Sequence, residues 1–327
     1  MSTTPILQVQ DLCKWFLVKK SRLGRTPQIF VHAVDGVSFE LGRGDVLALV
    51  GESGCGKSTL ALTLMGLEAP TTGSIVFEGR NIAQLKRQEL KTMRLHMQMI
   101  FQDPYESLNP LMSIGDIVAE PLVVHRLART KAERLERVRR ALEDAGLKPA
   151  DVYVRRRPHE LSGGQRQRVV IAGALVLEPT VLLADEPVSM LDVSIRADIL
   201  NLLGELRESR GISVLFITHD LATAGYFADR VAVMYLGRIV EIGPIHEVVD
   251  APAHPYAQAL LSVIPVPNPR QRRQHIILQG DPPNPIDLPQ GCRFRPRCPV
   301  AFDRCAQVDP PLVTVGDGHA AACLRVA

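Results

Sequence analysis

Residues Gly51 to Ser58 carry the clearest chemical motif in the chain. They read GESGCGKS, directly after an apolar run, and fit the pattern G-x-x-x-x-G-K-[ST]. In this pattern glycines let backbone N–H groups turn towards phosphate oxygens, the lysine reaches the terminal phosphates and the hydroxyl can bind Mg²⁺. We therefore predict a phosphate loop whose ligand-binding residues are Gly51, Ser53, Gly54, Cys55, Gly56, Lys57, Ser58 and Thr59. Cys55 is interpreted as a small residue that fits the loop.

Two adjacent carboxylates follow a second apolar run. Residues 181–186 read VLLADE and end in Asp185 and Glu186. An acid at the end of such a strand binds Mg²⁺ in enzymes with a phosphate loop. The neighbouring Glu186 has the chemistry to orient or deprotonate an attacking water, although a glutamate that only caps the next turn is the alternative.

A second glycine-rich segment precedes a helical pattern. It reads LSGGQ over residues 161–165, and the run RQRVVIAGALVLEP follows it. A helix N-terminus after glycines favours anions, so Ser162, Gly163, Gly164 and Gln165 are predicted to form a second anion site, without a lysine of its own. A plain turn is the alternative.

Short apolar runs that alternate with helical patterns recur over residues 1–250. The clearest strands are Val46–Val50, Val181–Ala184 and Ser213–Thr218, and none alternates with polar residues, as expected of buried parallel strands. This rhythm predicts an α/β fold with crossover helices. Because ligands bind beyond the carboxyl ends of such strands, the residues that follow these runs are expected to belong to one site.

A helical stretch is predicted over about residues 103–178. Its best helix begins at Thr130, which can cap the backbone while Glu133 reaches back, and it ends at Gly146. Its apolar stripe indicates packing, and the arginines beside it are expected to form a solvated face.

Composition divides the 327-residue chain into two parts, a domain of residues 1–250 and an extension of residues 251–327. The extension holds 13 of the 24 prolines and is predicted to be irregular. Residues 1–250 contain 30 basic and 30 acidic residues, which argues against a nucleic-acid partner. The longest apolar run, nine residues from Val169 to Leu177, is too short to span a bilayer. No basic leader with an apolar run begins the sequence, so we expect a cytoplasmic chain.

Four of the six cysteines fall in the extension, at Cys292, Cys298, Cys305 and Cys323, with the spacing C-x5-C-x6-C-x17-C. In a reducing compartment such crowding suggests metal ligation before disulfides. The segment has too few apolar residues to fold by burial alone, so a single metal centre is predicted. Four thiolates suit zinc or an iron-sulfur cluster, and unligated cysteines remain the alternative; the tight C-x2-4-C pair usual in zinc sites is absent.

These motifs together resemble those of the ATP-binding cassette (ABC) ATPases, over nearly all of residues 1–250. LSGGQ is the family's signature loop. Gln102 resembles the Q-loop glutamine, the segment Ser189 to Asp192 the D-loop, and His219 the switch histidine. Phe16 resembles the aromatic residue that stacks on adenine, with Trp15 beside it as the other candidate. Met190 replaces the usual alanine of the D-loop, and Phe16 a more familiar tyrosine.

The resemblance implies a P-loop NTPase fold. It consists of a RecA-like parallel sheet core, an antiparallel β subdomain, the helical signature subdomain and the irregular cysteine-containing extension. It also implies ATP as substrate, Mg²⁺ held by Ser58, Gln102 and Asp185, and catalysis by Lys57, Gln102, Glu186 and His219. The signature loop is expected to complete the nucleotide site of a second ATPase subunit, identical or a paralogue, and Asp192 of the D-loop is implied as a further nucleotide-binding residue.

Several segments resemble more narrowly the ATPase subunits of di- and oligopeptide importers, among them FQDPYESLNP, HPYAQALL and GCRFRPRC. That resemblance implies two membrane-spanning permeases that dock near Gln102 to Asn109, an extracytoplasmic peptide-binding protein, and a position at the cytoplasmic face of the inner membrane. It also favours a [4Fe-4S] cluster at the four cysteines over zinc.

Two other functions remain to be weighed. A cassette ATPase of DNA repair or of the ribosome is disfavoured, because the sequence has one cassette and no sustained heptads. A subunit that binds nucleotide without hydrolysing it is disfavoured by Glu186 and His219.

Overall fold

The computed structural model describes residues 4–19, 28–264 and 275–326. These residues form two compact units. The first contains residues 1–42, 46–84 and 218–327, and the second contains residues 43–45 and 85–217, as far as they are described. Each unit is built around β-strands with buried apolar side chains and carries part of the predicted site.

Nine strands lie in the described part of the first unit. They are β1 (Leu7–Lys19), β2 (Ile29–Leu41), β3 (Val46–Val50), β4 (Thr72–Phe77), β5 (Arg80–Asn81), β9 (Arg230–Tyr235), β10 (Arg238–Pro244), β11 (Val313–Gly316) and β12 (His319–Ala321). Its α-helices are α1 (Lys57–Leu64), α9 (Leu221–Phe227), α10 (Ile245–Asp250) and α11 (Pro255–Ser262). This unit therefore holds the predicted antiparallel β elements as well as the phosphate loop.

The strands of this unit form two groups. β2, β1, β4 and β5 lie side by side in that order and pair antiparallel, with Leu7 opposite Leu41 on one side and Phe77 on the other. The second group has the order β11-β12-β10-β9-β3, in which only β3 and β9 pair parallel. All five residues of β3 are buried, as the unbroken apolar run predicts.

The extension contains short regular elements on either side of a proline-rich segment. Residues 255–262 form α11, and β12 pairs antiparallel with β10, with Glu241 opposite Ala321. A buried side-chain contact supports this pairing, since the Glu241 carboxylate lies 2.7 Å from Nε2 of His319 and accepts hydrogen bonds from the N–H groups of Ala253 and His254. Residues 275–312 contain no α-helix and no β-strand, as expected of a proline-rich irregular extension, and the regular elements on either side of them are short. The short strands among these elements pair with residues far away in sequence, which local composition does not reveal.

The second unit is built on three parallel strands and the helices between them. The strands are β6 (Met97–Ile100), β7 (Val181–Asp185) and β8 (Ser213–Thr218), in the order β8-β7-β6, with β8 at the boundary of the unit. The helices are α2 (Arg87–His96), α3 (Pro104–Ser107), α4 (Ile114–Val124), α5 (Lys131–Asp144), α6 (Asp151–Val154), α7 (Gly163–Leu175) and α8 (Val193–Arg210). Every residue of β7 and β8 is buried.

Helix α5 shows how closely the local sequence specifies this unit. Thr130 caps it by accepting a hydrogen bond from the N–H of Glu133 at 3.1 Å, as predicted. The Glu133 carboxylate reaches back one residue further than a capping box requires, to the N–H of Arg129 at 2.8 Å. Gly146 follows the helix with φ of 78°, a conformation that favours glycine.

Candidate functional site

The phosphate loop lies between β3 and the first turn of α1. Gly56 precedes the helix with φ of 110° and provides no side-chain cap. A Cβ atom at Gly51 would lie 2.2 Å from the carbonyl oxygen of Met234, and one at Gly56 would lie 2.0 Å from that of Ala33. Only glycine fits these two positions, so the motif is required by packing as well as by phosphate binding.

The lysine of the loop is buried and is held by the loop itself. Nζ of Lys57 donates hydrogen bonds to the carbonyl oxygens of Gly51 at 2.8 Å and Glu52 at 3.0 Å. Cys55 is also buried, and burial raises the pKa of its thiol. A neutral, enclosed thiol fits the interpretation of Cys55 as a small residue of the loop. Ser53, Gly54 and Ser58 are exposed.

The two aromatic candidates for adenine stacking have different surroundings on β1. The Trp15 ring packs 4.7 Å from that of His32, and its N–H donates to Asp35 at 3.0 Å. Phe16 is 37% exposed, and its ring is covered only in part by the ammonium of Lys14, 4.7 Å from the ring centroid. Phe16 is therefore the more exposed of the two aromatic candidates.

His219 follows directly after β8, and its side chain is exposed. The next residue, Asp220, caps α9 by accepting from the N–H of Ala222 at 2.9 Å. Thr218 accepts from the N–H of Asp220 at 3.0 Å, which closes the turn around the histidine. This tight turn fixes the backbone position of the predicted switch residue.

In the second unit the structure brings two predicted catalytic residues into contact. Nε2 of Gln102 donates a hydrogen bond to Oε2 of Glu186 at 3.1 Å. Glu186 has a φ of 46°, uncommon for a residue with a side chain, and its N–H donates to the carbonyl of Ile217 at 2.9 Å. Asp185 at the end of β7 is 6% exposed. The carboxylates predicted from sequence thus lie where a buried strand ends.

The signature loop starts α7 with a reciprocal cap. Oγ of Ser162 accepts from the N–H of Gln165 at 3.3 Å, and the Gln165 side chain accepts from the N–H of Ser162 at 3.0 Å. A Cβ atom at Gly164 would lie 2.6 Å from Cγ2 of Ile195, so this position is packed against α8. Gly163 begins the helix, and Ser162 is exposed.

The D-loop leads from Glu186 into α8. Both the N–H and the hydroxyl of Ser189 donate to the carbonyl of Glu186, at 3.2 and 3.0 Å. Met190 is 56% exposed, and Asp192 occupies the N-cap position of α8 with its side chain exposed. The departure from alanine at position 190 therefore changes an exposed surface and leaves the core intact.

The sequence did not predict that the extension supports the phosphate loop. The hydroxyl of Tyr256 accepts a hydrogen bond from the N–H of Glu52 at 2.9 Å. The guanidinium of Arg297 contacts the Glu52 carboxylate through two hydrogen bonds of 2.8 and 3.1 Å. Burial alone would lower the pKa of Arg297, but the hydrogen bonds and charge of Glu52 outweigh burial and raise it. The one sign of this contact in the sequence was Glu52, an acidic residue at a variable position of the phosphate-loop motif.

The four cysteines of the extension gather around one small cavity of ≈ 20 Å³, room for about one water molecule. The N–H of Cys292 donates to the carbonyl of Cys305 at 2.9 Å, and burial raises the pKa of Cys292 to about 11 and also that of Cys298. In the part of the chain that the structure describes, no group of three or more His, Cys, Asp and Glu side chains is arranged to hold a metal ion. The predicted convergence of Cys292, Cys298, Cys305 and Cys323 is present, but the thiols do not form a metal site in this conformation.

Within the same described ranges, no helix is both long enough and apolar enough to cross a membrane.

The chain matches two protein families. "ABC transporter" matches residues 34–189, and "Oligopeptide/dipeptide transporter, C-terminal region" matches residues 240–305. The first match covers the phosphate loop, the signature loop and Glu186, and the second includes three of the four cysteines.

Proteins of similar length match it end to end. The chain is 48% identical over 325 residues to a peptide import ATP-binding protein of Brucella ovis, with 99% of each chain covered. It is 46% identical over 323 residues to the dipeptide transport ATP-binding protein of Haemophilus influenzae, with 99% of this chain and 97% of the relative covered.

Solved structures show the same fold. A dimeric ATP-binding cassette in a post-hydrolysis state with ADP and phosphate superposes with a TM-score of 0.63 at 29% identity, over 73% of this chain and 98% of that one. A Clostridium perfringens cassette from an ABC transporter complex superposes with a TM-score of 0.64 at 32% identity, over 76% and 91%. The predicted P-loop NTPase fold is confirmed, and the chain belongs to the ATPase subunits of ABC transporters that carry the oligopeptide/dipeptide transporter C-terminal region.

Proposed function

We propose that this chain hydrolyses ATP to drive peptide import through separate permease subunits. The observation that carries the proposal is an end-to-end match, over 99% of the chain, to proteins named for peptide import and dipeptide transport. Both the cassette and the C-terminal region take part in that match. Lys57, Glu186 and His219 are present, so the chain has the charged and proton-accepting groups that turnover requires.

Nucleotide binding is assigned to the phosphate loop and Phe16. Backbone N–H groups of residues 51–59 would hold the phosphates, and the uncapped first turn of α1 supplies donors and a positive dipole. To reach a terminal phosphate, Lys57 exchanges its two bonds to loop carbonyls for bonds to phosphate oxygens. The accessible ring of Phe16 would stack on the adenine.

Hydrolysis is assigned to Glu186, with Gln102 and His219 as partners. Water attacks the γ-phosphorus, its proton passes to the Glu186 carboxylate, and the bond from phosphorus to the β,γ-bridging oxygen of ADP breaks. The amide of Gln102 donates to Glu186, and this orients the carboxylate before nucleotide arrives. His219 would donate a hydrogen bond to the γ-phosphate and stabilise its developing charge.

Mg²⁺ is the metal that suits the oxygen donors of this site. Asp185 supplies a carboxylate at the end of a buried strand, Ser58 an exposed hydroxyl, and Gln102 an amide oxygen. Hard oxygen ligands of this kind match Mg²⁺, which when bound neutralises phosphate charge. The three residues are proposed as its ligands, directly or through water.

The active form is proposed to be a head-to-tail pair of ATPase subunits. Ser162, Gly163, Gly164, Gln165 and Asp192 of one subunit would complete the γ-phosphate site of the other. One structural relative is a dimeric ATP-binding cassette, which supports this arrangement. Two permeases would receive the conformational change and hold the ATPase at the cytoplasmic face of the membrane. An extracytoplasmic binding protein would select the peptide.

Replacement of Glu186 by glutamine tests this function directly. The amide keeps the shape of the side chain but cannot accept the proton, so turnover should fall about a thousandfold while ATP still binds. ATP-dependent dimers should accumulate and be visible by light scattering. Glu205→Gln, an exposed change on α8, is the matched control and should retain full turnover. Normal steady-state hydrolysis by the Glu186 variant would refute the assignment.

We further propose that Cys292, Cys298, Cys305 and Cys323 bind one metal centre, with a [4Fe-4S] cluster favoured over zinc. Their convergence on one cavity supports the proposal, although the thiols would have to turn and the cavity to widen. Protein purified without oxygen should absorb near ~400 nm and contain about four iron atoms per chain. Cys298→Ser should lose the iron. Cys13→Ser, on β1 and outside the extension, is the control and should retain it. Colourless protein with stoichiometric zinc would reject iron, and metal-free protein would reject the site.

A further inference from the structure

Glu52, the second residue of the phosphate loop, is held at two points by the extension. Its N–H donates to the hydroxyl of Tyr256 at 2.9 Å, and its carboxylate accepts two hydrogen bonds from Arg297. A bidentate contact fixes both the position and the plane of the carboxylate. The Arg297 side chain is 8% exposed and the Glu52 side chain 29% exposed, so the ion pair is partly buried.

Arg297 is itself held by a buried aromatic cluster. It ends a short turn, Arg295–Arg297, in which its N–H donates to the carbonyl of Phe294 at 3.0 Å. Phe294 is 1% exposed and packs 5.2 Å from the ring of Tyr235 and 5.4 Å from that of Tyr256. The arginine therefore projects towards Glu52 from a rigid base, with its guanidinium 6.0 Å from the centre of the Tyr235 ring.

The position of Glu52 bears on the lysine that reaches the phosphates. The Glu52 carbonyl accepts a hydrogen bond from Nζ of Lys57 at 3.0 Å, and the Gly51 carbonyl accepts the other. A displacement of the Glu52 peptide would move one of the two groups that hold the lysine. It would also move the neighbouring N–H groups of the loop, which have to converge on one phosphate.

We propose that Arg297 is a positioning residue for the phosphate loop, acting through Glu52, so that the cysteine-containing extension sets the affinity of this ATPase for nucleotide. The inference rests on the nucleotide site assigned under the proposed function. Arg297 lies between Cys292 and Cys298, so the segment that carries the cysteines also carries the contact to the loop. The extension is then part of the nucleotide site, in addition to any metal it binds.

The test is a titration of the full-length chain with a fluorescent ATP analogue. Arg297→Gln and Glu52→Gln should each weaken nucleotide binding about tenfold. Arg297→Lys keeps the charge but loses the bidentate contact, so its nucleotide affinity should lie between that of these variants and that of the unmodified chain. Arg295→Gln is the matched control, because Arg295 is exposed two residues earlier in the same turn, and it should bind as the unmodified chain does.

A double variant separates positioning from a general effect on folding. If Arg297 acts through Glu52, the combined Glu52→Gln and Arg297→Gln variant should bind no more weakly than either single variant. Losses that multiply, or unchanged binding by Arg297→Gln, would overturn the inference. Glu52→Gln retains the shape of the side chain and tests the same contact if the arginine variant does not fold. Lys57→Ala is measured alongside to test the nucleotide site itself. If the phosphate loop does not bind nucleotide, the lysine variant and the unmodified chain will show the same nucleotide affinity.

Discussion

Two glycine-rich loops begin helices in this chain, and they satisfy their backbone groups in different ways. The phosphate loop leaves the first turn of α1 without a side-chain cap, and its Glu52 is hydrogen-bonded to Tyr256 and Arg297 of the extension. The signature loop closes the first turn of α7 with its own Ser162 and Gln165. In the phosphate loop the backbone N–H groups stay available for a ligand bound by the same chain. In the signature loop the N–H groups of Ser162 and Gln165 already have side-chain partners, so a ligand must replace these hydrogen bonds or share them. That difference fits a loop that acts on the nucleotide of a second subunit.

Lys57→Ala should produce the largest effect on the phosphate loop. Loss of the ammonium removes a charge-assisted contact to the terminal phosphates, so nucleotide affinity should fall about a hundredfold, or about 2.7 kcal/mol. The fold should survive, because the hydrogen bonds described for the lysine go to its own loop, to the carbonyl oxygens of Gly51 and Glu52 and to the sulfur of Cys55. Calorimetric titration of ATP gives the affinity, and Lys131→Ala, exposed at the start of α5, is the control. An unchanged dissociation constant for ATP would show that the phosphate loop does not bind nucleotide through Lys57.

The support behind the phosphate loop should depend on pH. Burial lowers the pKa of His254 from 6.5 to about 4, and the neutral ring accepts a hydrogen bond from the N–H of Tyr256 at 3.1 Å. Between pH 6.5 and about pH 4 the histidine binds a proton in the unfolded chain but not in the folded one. The free energy of unfolding should therefore fall as the pH falls through this range, and His254 should contribute about 3 kcal/mol to that fall.

Urea unfolding at pH 7 and at pH 4.5 measures this dependence. His254→Asn, which keeps an acceptor, should lose much of it, whereas His246→Asn, 71% exposed in its side chain, should not. Equal pH dependence in the His254 variant and the unmodified chain would show that the histidine does not couple the extension to pH.

Ser162→Ala should have the smallest effect and should distinguish the two loops. Removal of the cap should destabilise the chain by about 1 kcal/mol in urea unfolding. ATP affinity of the single chain should not change, because the signature loop serves a second subunit. Gln165→Glu, which retains the reciprocal bond to the N–H of Ser162, is the control for stability. A fall in ATP affinity comparable with that of Lys57→Ala would mean that both loops bind one nucleotide within one chain.

Local sequence predicted the elements whose signal is local. Val46–Val50 and Ser213–Thr218 are strands with the predicted ends, because a buried parallel strand is an unbroken apolar run. The cap of α5 at Thr130 depends on residues three apart, so it too was visible. For the same reason the motif around Lys57 was recognised from spacing alone.

What the sequence concealed joins residues that are distant along the chain. The contact between Arg297 and Glu52 links positions 245 residues apart, and each residue taken alone is an ordinary surface charge. Strand β12 pairs with β10 although it has only three residues and follows a proline-rich segment. The cysteines were predicted to converge, but a count of thiols does not specify whether their side chains face one ion.

Mixing two inactive variants measures the central claim most directly. A Lys57→Ala chain lacks a working phosphate loop, and a chain in which Gly164 is replaced by aspartate lacks a working signature loop, because the new side chain would clash with Ile195 and repel phosphate. In a head-to-tail pair of the two, one nucleotide site receives both damaged loops and the other receives both intact loops. We predict that each variant alone is inactive and that an equimolar mixture recovers about a quarter of the ATPase rate of the unmodified chain at the same total concentration, because random pairing makes half of the pairs mixed and each mixed pair has one working site of two. A mixture as inactive as its components, beside an active unmodified chain, would contradict the account.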